Sequence, residues 1–520
     1  MIKNIFLSST SACFEWQNTL PFYTDKEYTV ILNGKKLFKS KTNVFSLFDL
    51  TPSTQYTLEI AHTAIKLQFE TASETCCFDV ADFGAKGDGT TDDTRAIQNA
   101  IHCLPKRGRL LLKKGTYLVS PICLKSEITL ELAEGATLLG RTERDSYPLI
   151  PGEIKDVVTD EMHQVGVWEG NPTTMHQSLI FGEHLHDVNV VGRGVIDGNA
   201  QNSDWWVDVK NQPYGRPRLV FLNRCTNITF HGVTGQNSAS WQFHPYFSKH
   251  INFLDIQVKA PKDSPNTDAI DPESCDYVHI VGCQFSVGDD CIALKSGKMY
   301  LGQKYKTPAN HHTIRNCYMH YGHGAITLGS ENAGGVQNLV VNRCIFDSTD
   351  RGLRIKTRRG RGKYAVIDGI TFENIYMNHV LTPIVINMWY NCCDPDRESD
   401  YNTTREKLPV DDRTPHLGRF HFKDMVCENI HVAACYCDGL PEQPIDEIVI
   451  ENIKFTYSRN AKRGGIPAMQ NNPKVLCRAG MYFDNVTKLN IRNVEMDGVI
   501  GDKVVAHNVD DYKEEKCTSK

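Results

Sequence analysis

Four short polar motifs follow one another in the middle of the chain, and their residue types suit proton transfer beside an anion. They are Asn266-Thr267-Asp268, Asp289-Asp290, Gly322-His323-Gly324 and Arg354-Ile355-Lys356. Carboxyl and imidazole groups can donate and abstract protons, and the two cations can hold an anionic group. This combination suits cleavage of a glycosidic bond in an acidic sugar polymer.

The spacing of these motifs predicts a repeating fold that stacks them in one cleft. Asp289 follows Asp268 by 21 residues (289 − 268), His323 follows Asp290 by 33 (323 − 290), and Arg354 follows His323 by 31 (354 − 323). Such steps match successive turns of a coil built from short strands. No single motif is specific, but their order and spacing are.

Short apolar strands recur through the second half of the chain, and no matching helices alternate with them. This pattern predicts a right-handed parallel β-helix. A propeller is the alternative, but its blades are longer, about 40 to 50 residues each, and evenly spaced. Cysteines take the same place in successive repeats, which predicts a buried ladder of reduced thiols at Cys283, Cys317 and Cys344. The repeats include 227–230, 250–253, 277–280, 338–341, 369–372, 447–450 and 488–491.

Residues 1–75 have a different pattern and predict a small β-sandwich. A strand over 28–32 runs into Asn33-Gly34, a strong hairpin signal. The segment resembles a fibronectin type III module, with Tyr56 placed as the corner tyrosine of that fold; another small sandwich is the alternative. We expect this module to act as a spacer, a lid or a docking surface.

The second domain is expected over residues 76–510, followed by a charged, frayed tail over 511–520. Near its start, Asp92 and Asp93 allow either a calcium loop or the first turn of a helix, and the apolar stripe that follows favours the helix. This helix would close the open end of the coil and protect its first strand.

The net charge of −5 argues against general attraction to nucleic acid or anionic membranes. The N-terminal apolar stretch is too short for a signal peptide, and no later stretch could span a membrane. These features predict a cytoplasmic location. Residues 351–363 hold seven basic residues and no acid; a nucleic-acid patch is one interpretation, but the position beside the cleft favours an anionic sugar chain.

The four motifs, with Gly192-Arg193-Gly194-Val195-Ile196-Asp197-Gly198 before them, resemble glycoside hydrolase family 28, the polygalacturonases, over residues 78–500. The longer sequence segments that contain these motifs are similar to those of bacterial exo-acting members, several of which carry an N-terminal fibronectin-like module. The resemblance implies hydrolysis of α-1,4-linked galacturonate with inversion and without a metal or other cofactor. The implied partners are polygalacturonate or its oligosaccharides, not nucleic acid or membrane.

The resemblance also assigns roles to residues. It makes Asp289 the acid, lets Asp268 and Asp290 hold the attacking water, and places His323 beside the acid or the sugar. Substrate-binding residues by the same resemblance are Asn266, Arg354, Lys356, His244 and Tyr390.

Elementary chemistry adds two expectations to this assignment. The two carboxyl groups of an inverting hydrolase lie roughly 6.5–9.5 Å apart, which leaves room for water. Asp289 and Asp290 can share one cleft only if the backbone bends, because neighbours on a regular strand point to opposite faces; Gly288 could permit that bend.

Three other functions stay open. A pectate lyase on the same fold would use calcium and a basic residue; a relative could hydrolyse rhamnogalacturonan or xylogalacturonan; and a β-helix could bind polysaccharide without cleaving it. For an enzyme confined to imported oligomers, a pocket closed at one end is more useful than an open groove. The segments 156–177, 298–308 and 391–415 are expected to supply that closure, and with it exo action from the non-reducing end.

Overall fold

The computed structural model describes residues 1–155, 157, 159–391, 394 and 396–520. Two antiparallel sheets form the N-terminal part, and one large sheet of 29 strands, paired in parallel, forms most of the rest. The prediction of a small sandwich followed by a right-handed parallel β-helix is confirmed. No helix among the described residues is long and apolar enough to cross a membrane.

The sandwich encloses its own apolar core, which includes Phe14, Val30 and Leu58. Asn33-Gly34 forms the predicted turn, with positive φ at both residues. The hydroxyl of Tyr56 accepts a hydrogen bond from the Thr51 backbone N–H at 2.9 Å, as a tyrosine corner does; the fibronectin type III likeness itself stays a prediction. The sheets are β1-β2-β5 and β4-β3-β6-β7, formed by β1 (Ile2–Leu7), β2 (Ala12–Trp16), β3 (Tyr23–Leu32), β4 (Lys35–Thr42), β5 (Val44–Leu47), β6 (Gln55–Ile60) and β7 (Lys66–Glu70).

A helix covers the first coil of the second domain, as the sequence predicts. The strands β8 (Cys77–Asp79) and β9 (Asp88–Asp92) precede α1 (Thr94–Cys103), which buries Ile97, Ala100 and Ile101. The acids stand just before the helix rather than in its first turn. Asp93 accepts hydrogen bonds from the Lys86 and Gly87 backbone N–H groups at 2.7 and 2.9 Å, so it shapes the turn that leads into α1.

Each coil contributes strands to three faces, here named A, B and C. Face A contains β10 (Gly108–Leu112), β13 (Ile128–Leu132), β22 (His186–Gly192), β25 (Thr226–His231), β28 (Lys249–Leu254), β30 (Asp276–Val281), β33 (Ala309–Arg315) and β36 (Val336–Asn342). Face B contains β11 (Gly115–Val119), β14 (Ala136–Gly140), β23 (Val195–Asp197), β26 (Thr234–Gln236), β29 (Gln257–Lys259), β31 (Gln284–Ser286), β34 (Tyr318–His320) and β37 (Ile345–Asp347). Face C contains β12 (Ile122–Cys123), β21 (Ile180–Glu183), β24 (Val220–Asn223), β27 (Phe243–Tyr246), β32 (Ile292–Leu294), β35 (Ile326–Leu328), β38 (Arg351–Lys356), β40 (Thr382–Asn387) and β43 (Ala433–Asp438).

Longer strands and short loop elements complete the fold. The strands β39 (Val366–Asn378), β42 (Arg419–Ile430) and β44 (Ile445–Tyr457) continue from face A into face B, whereas β45 (Ala479–Asp497) and β46 (Val504–Ser519) run through all three faces. The loop elements are β15 (Leu149–Ile150), β16 (Glu153–Lys155), β17 (Met162–Gln164), β18 (Val167–Trp168), β19 (Asn171–Pro172), β20 (Met175–His176), β41 (His416–Leu417), α2 (Met299–Tyr305), α3 (Asp400–Thr403) and 3₁₀ turns at Val80–Phe83, Arg144–Ser146 and Ala200–Asn202.

The core is a set of ladders that run from coil to coil. Ile228, Ile251 and Val278 stand in register on face A, and each is fully buried. The cysteine ladder is confirmed, because Cys283, Cys317 and Cys344 are buried free thiols. Residues of one type stack well here because consecutive parallel strands place equivalent side chains about 4.8 Å apart.

The expectation of a frayed tail after Asp510 was wrong. Strand β46 pairs in parallel with β45 from Met481 to Met496, and its last paired residue is Ser519. The reason is its pattern: Val504, Val509 and Cys517 pack against the core, so the charged residues between them fall on the outer side.

Candidate active site

The four motifs lie on neighbouring coils at the entrance to face C. Ile270, Ile292, Ile326 and Leu353 pair in sequence across this face. Asp268 and Asp290 each stand two residues before one of these core positions, so they occupy equivalent places on adjacent coils. The structure therefore brings the predicted residues together in one cleft.

The three aspartates are closer than expected. One carboxylate oxygen from each of Asp268, Asp289 and Asp290 lies within 4.8 Å of the others. This is shorter than the roughly 6.5–9.5 Å separation of a simple inverting pair, so that expectation was wrong. The cause is the fold: adjacent coils are about 4.8 Å apart, and Asp289 and Asp290 are neighbours in sequence.

A backbone bend lets Asp289 and Asp290 share the cleft. Residues 289 and 290 lie between β31 and β32, outside regular strand. Gly288 makes the bend possible, because a Cβ there would be 2.3 Å from the Ser264 carbonyl oxygen. Gly324 likewise leaves room, since a Cβ there would be 3.0 Å from Asp290 Oδ1.

Arg354 and Lys356 both contact Asp290. Arg354 Nη1 donates to Asp290 Oδ1 at 3.2 Å, and Lys356 Nζ donates to Oδ2 at 2.6 Å. Burial acts to raise the pKa of Asp290, but Lys356 and Arg354 outweigh it and hold that pKa well below its ordinary value. Asp290 is therefore an ionised carboxylate. The two cations that contact it could also bind an anionic group of a substrate in the same cleft.

Asp268 has the opposite environment. Burial raises its pKa well above the ordinary value, and the neighbouring charge of Asp289 raises it further. The ammonium group of Lys295, whose Nζ lies 4.0 Å from Asp268 Oδ2, acts in the opposite direction on this pKa. Lys295 also lies 3.6 Å from Asp271 Oδ1 and 3.7 Å from Glu331 Oε2.

The motifs do not reveal this cluster of Lys295, Asp271 and Glu331. All three side chains are buried, and Lys295 Nζ also sits 4.1 Å from the centre of the Trp241 ring. The sequence signal that could have found Lys295 is its place at the end of β32, three residues after Ile292 and on the edge of the same face. Glu331 comes from the next coil, so only the fold relates the two.

His323 lies directly beside Asp289. Its Nδ1 is 3.2 Å from Asp289 Oδ1, and its backbone N–H donates to the Asp289 carbonyl oxygen at 3.0 Å. The hydrogen bond with Asp289 raises the pKa of His323. About half of the His323 side chain is exposed, against 20 % of Asp289 and 2 % of Asp290, so this pair faces the open side of the cleft.

His244 is not placed to contact a substrate, and that prediction was wrong. Its side chain has no exposed surface, and its Nε2 lies 3.0 Å from Glu273 Oε2. On β27 it lies on the outer side of face C, beside Phe221, and packs edge-on against Trp241. Val167 and Leu301, from neighbouring segments, pack over this side of the strand, and the sequence does not show that they cover it.

Asn266 and Tyr390 border the site. Asn266 adopts a left-handed backbone conformation, and its Oδ1 accepts a hydrogen bond from Arg216 Nη2 at 2.6 Å. Tyr390 is 7 % exposed and lines a narrow space together with Arg354, Lys356 and Met469. Arg216 and Met469 are further site neighbours that the motifs did not indicate.

The basic run 351–363 is largely a structural ion network, so its interpretation as a sugar-binding run was wrong beyond Lys356. Arg358, Arg359 and Arg361 are each buried. Arg358 and Arg361 donate to Asp394 at 3.3 and 2.7 Å, and Arg359 binds Glu442 through two hydrogen bonds. Burying a guanidinium demands such a partner.

Two walls cross face C on either side of the aspartates. The first contains Trp168, which stacks on Trp241 at 5.5 Å, and Glu169, which lies 3.5 Å from Lys298 Nζ. Lys298 Nζ also lies 2.9 Å from Asp394 Oδ1. One lysine therefore joins the three segments 156–177, 298–308 and 391–415, of which residues 156, 158, 392, 393 and 395 lie outside the described part.

The second wall is the segment 466–470, which lies over β38 and β40. The carbonyl oxygen of Met469 accepts hydrogen bonds from Asn387 Nδ2 at 3.0 Å and from the Asn391 N–H at 3.2 Å. The carbonyl oxygens of Ile466 and Pro467 accept from Arg351 at 2.5 and 2.7 Å. These contacts tie the segment down next to Arg354.

The arrangement can support acid–base hydrolysis. It offers an accessible carboxyl group with a histidine partner, a second carboxylate held ionised by two cations, and a third in a buried setting. Three carboxylates at this spacing could also contact one cation, but Asp290 already has Arg354 and Lys356 as partners.

Comparisons with known proteins agree with this chemistry. The pattern described as "Glycosyl hydrolases family 28" matches residues 160–463, more than half of the chain, and "Rhamnogalacturonase A/epimerase, pectate lyase-like" matches residues 77–138. A "Probable polygalacturonase" of Vitis vinifera is 31% identical over 414 residues, 78% of each chain. An "Exo-poly-alpha-D-galacturonosidase" of Dickeya chrysanthemi is 24% identical over 469 residues, 80% of this chain and 71% of the relative.

A solved structure extends the likeness to the whole chain. The family 28 exopolygalacturonase of Yersinia enterocolitica superposes with a TM-score of 0.68 over 99% of this chain and 98% of that one, at 18% identity, which shows a shared fold. The chain is therefore a member of glycosyl hydrolase family 28, the polygalacturonase family.

Proposed function

We propose that this enzyme is an exo-acting galacturonosidase that removes galacturonate from the non-reducing end of oligogalacturonides with inversion. Relatives named for endo and for exo action both occur, so the proposed mode rests on the shape of the cleft. The observation that carries the proposal is the enclosure of the aspartates by two walls, one joined through Lys298 and the other formed by 466–470. An enclosed site accepts a chain end more readily than the middle of a polymer.

The surroundings of the carboxyl groups suggest their roles. Asp289, the most accessible of the three, gives its proton to the leaving glycosidic oxygen as the C1–O bond breaks. A water oxygen bonds to C1 from the other side and passes a proton to Asp290, which Arg354 and Lys356 keep ionised. Asp268 helps to orient that water, and His323 holds the Asp289 carboxyl in place.

Arg354 and Lys356 explain selectivity for a uronate. Together they present a guanidinium fork and an ammonium on one edge of the cleft, both on β38. Because both already contact Asp290, a substrate carboxylate would share these cations with the catalytic group. This coupling would favour acidic sugars over neutral ones in the step itself.

The early product profile tests the proposal. The enzyme is incubated with polygalacturonate and with trigalacturonate, and products are separated by chain length during the first few per cent of conversion. Galacturonate alone supports exo action, whereas a ladder of intermediate oligomers would show an endo-acting cleft. Ultraviolet absorbance from an unsaturated uronate product would reveal a lyase. Rhamnogalacturonan and xylogalacturonan are assayed in parallel as alternative substrates. Binding of polygalacturonate without the formation of new reducing ends would indicate a non-catalytic polysaccharide-binding protein.

The stereochemical part needs its own measurement, because the aspartates are closer than a simple inverting pair. Proton NMR during the first minutes shows whether the released galacturonate is the β-anomer, as inversion of an α-linkage requires. Release of the α-anomer first would reject inversion, but it would not contradict the other parts of the proposal.

The proposal includes a cytoplasmic location, where short imported oligomers are the available substrate. The buried free thiols of Cys283, Cys317 and Cys344 suit a reducing compartment. Fractionation of the native host is the test, and abundant enzyme in the medium would reject this location.

A further inference from the structure

A second cavity opens on face C beyond the wall 466–470. Its volume is about 450 Å³, a size typical of small-molecule and sugar sites. Lys356 of the active site is in register with Asn387 on the next coil. Asn387 is in turn in register with Asp438, and Asp438 with Asp484, on the two coils that follow. At about 4.8 Å per coil, the cavity lies roughly 10–15 Å from the catalytic residues, on the same face.

Aromatic rings and cations line this C-terminal cavity. Tyr436 and Tyr482 stack with ring centres 5.0 Å apart and an angle of 13°. Lys474 places its ammonium 3.9 Å from the Tyr482 ring centre, and Arg405 places its guanidinium 3.9 Å from the Trp389 ring centre. Lys474 is exposed, and 47% of the Arg405 side chain is exposed, so both cations can reach a ligand.

Amide side chains supply a large part of the polar lining. They are numerous and can both donate and accept hydrogen bonds with sugar hydroxyls. Gln470 is 7% exposed, and its Oε1 has no hydrogen-bond partner among the described residues, while its Nε2 donates to the Tyr436 hydroxyl at 3.0 Å. The amides are Gln470, Asn471, Asn472, Asn485 and Asn508.

The cavity is separate from the catalytic residues and has no comparable acid set. Gln470 and its neighbours lie between the two. The two carboxylates of the cavity already have partners: Asp438 accepts from Arg405 at 2.9 Å, and Asp484 accepts from Asn508 at 3.0 Å. A sugar bound here would be held but not cleaved.

We propose that the C-terminal cavity is a non-catalytic binding site for a uronate-bearing oligosaccharide. Its two reachable cations fit the sugar carboxylate, the amides fit the hydroxyls, and the exposed part of Tyr482 fits an apolar sugar face. The choice of a uronate rests on the proposed function of the neighbouring cleft. A polymer held at both places would gain effective concentration at the catalytic residues, whereas a disaccharide is too short to benefit.

Direct binding tests the proposal without relying on turnover. Trigalacturonate is titrated calorimetrically into full-length Asp289→Asn protein and into Asp289→Asn carrying Lys474→Glu. Two binding sites are expected in the first protein. When the charge at residue 474 is reversed by Lys474→Glu, one of the two sites should lose affinity about tenfold or more, and the other should be unchanged. Lys513→Glu, which changes an exposed lysine on β46 outside the cavity, is the matched control and should change nothing.

Kinetics and crystallography complete the test. In the otherwise native enzyme, Lys474→Glu should raise KM for polygalacturonate several-fold and leave digalacturonate turnover unchanged; Tyr482→Ala should act in the same direction. Sugar density in the cavity of a crystal soaked with trigalacturonate would support the site. A single calorimetric site unaffected by Lys474→Glu, together with an empty cavity in the soaked crystal, would overturn it. An enzyme that binds here but does not hydrolyse galacturonate would reject the proposed function instead.

Discussion

The three aspartates of the cleft differ in charge because their neighbours differ. Asp290 has two cations in direct contact, whereas Lys295 lies 4.0 Å from Asp268. Three like charges within 4.8 Å would repel one another strongly. The fold relieves this repulsion by favouring the charged form at Asp290 and the neutral form at Asp268, which keeps Asp290 available as the base.

Asp289→Asn should remove turnover and leave binding largely intact. The amide keeps the shape of the carboxyl group but cannot donate the proton that the leaving oxygen needs, so kcat should fall by about 10²–10⁴-fold. Initial rates on trigalacturonate and calorimetric affinity provide the two measurements. Retention of more than a few per cent of the rate would shift the acid role to Asp268, whose pKa burial already raises.

Lys356→Met should move the acidic limb of the pH profile to higher pH. Lys356 and Arg354 hold the pKa of Asp290 low, so the base stays ionised well into the acid range. Without Lys356 that pKa rises, and protonation removes the base at a higher pH than before. The limb of kcat/KM is the readout. Lys363→Met, in the same basic run but paired with Asp412 at the surface, should leave the limb in place; an unmoved limb in Lys356→Met would contradict the assignment of Asp290 as base.

The motif residues could be predicted from the sequence because each sits at a fixed offset from a core position of its own coil. Asp268 and Asp290 share one offset, and glycines flank His323 where the backbone comes close to Asp289 and Asp290. The position of Lys295 after Ile292 was a usable signal, but Glu331 could not be predicted, because its role comes from a contact between coils. The prediction for His244 failed for a related reason: residues distant in the chain, Val167 and Leu301, pack over the outer side of β27, and no local pattern shows this cover.

At the scale of elements, a buried ion network fixes the loops that enclose the cleft. Asp394 accepts from Arg358 and Arg361 and contacts Lys298, and these three cations come from two other segments. Burial acts to raise the pKa of Asp394, but Arg361 and Lys298 outweigh it, so this carboxylate stays ionised. The three segments were predicted from the sequence, but the role of the arginines was not. The basic run suggested residues that bind a sugar chain, because the acidic partners of the arginines are distant in the sequence and only the fold brings them together.

Asp394→Asn should loosen this wall. Removal of one partner leaves buried cations uncompensated, which costs on the order of 3 kcal/mol of unfolding free energy. We expect a lower Tm and, if the wall sets exo action, intermediate oligomers among the early products. Asp412→Asn is the matched control, since its pair with Lys363 is 78% and 51% exposed and should contribute little. An unchanged Tm and product pattern in Asp394→Asn would show that the wall stands without this carboxylate.

At the scale of the whole molecule, the N-terminal sandwich spans successive coils instead of hanging from one end. It contacts seven consecutive coils, at the end of the face A strand or in the turn that follows it. The contacts run through Glu131, Arg193, His231, Asp255, Gly282, Arg315 and Arg343. Of the roles expected from the sequence, a spacer fits least well, because a spacer would not bury so many contacts along the β-helix.

Glu15 is the centre of this interface. Its side chain is 2% exposed and accepts hydrogen bonds from Arg315 and Arg343 at 2.8 Å, and from Asn316 at 2.8 Å. Arg315 and Arg343 end or follow the face A strands of the coils that carry His323 and Arg354. The sandwich thus joins the coils whose spacing sets the distances between catalytic groups.

Glu15→Gln should therefore destabilise the sandwich and the β-helix together. Loss of the carboxylate charge leaves two guanidinium groups short of a partner, at a cost of about 3–5 kcal/mol. Calorimetry should show one unfolding transition at a lower temperature, because the buried interface couples the unfolding of the sandwich to that of the β-helix. Glu27→Gln is the matched control: it changes an exposed pair with Lys39 in the same sandwich, with side chains 57% and 68% exposed, and should leave Tm nearly unchanged. Separation into an early sandwich transition and an unshifted β-helix transition would show that the module is only attached. A shared decrease, with kcat falling as the coils loosen, would show instead that the sandwich holds the catalytic coils in register.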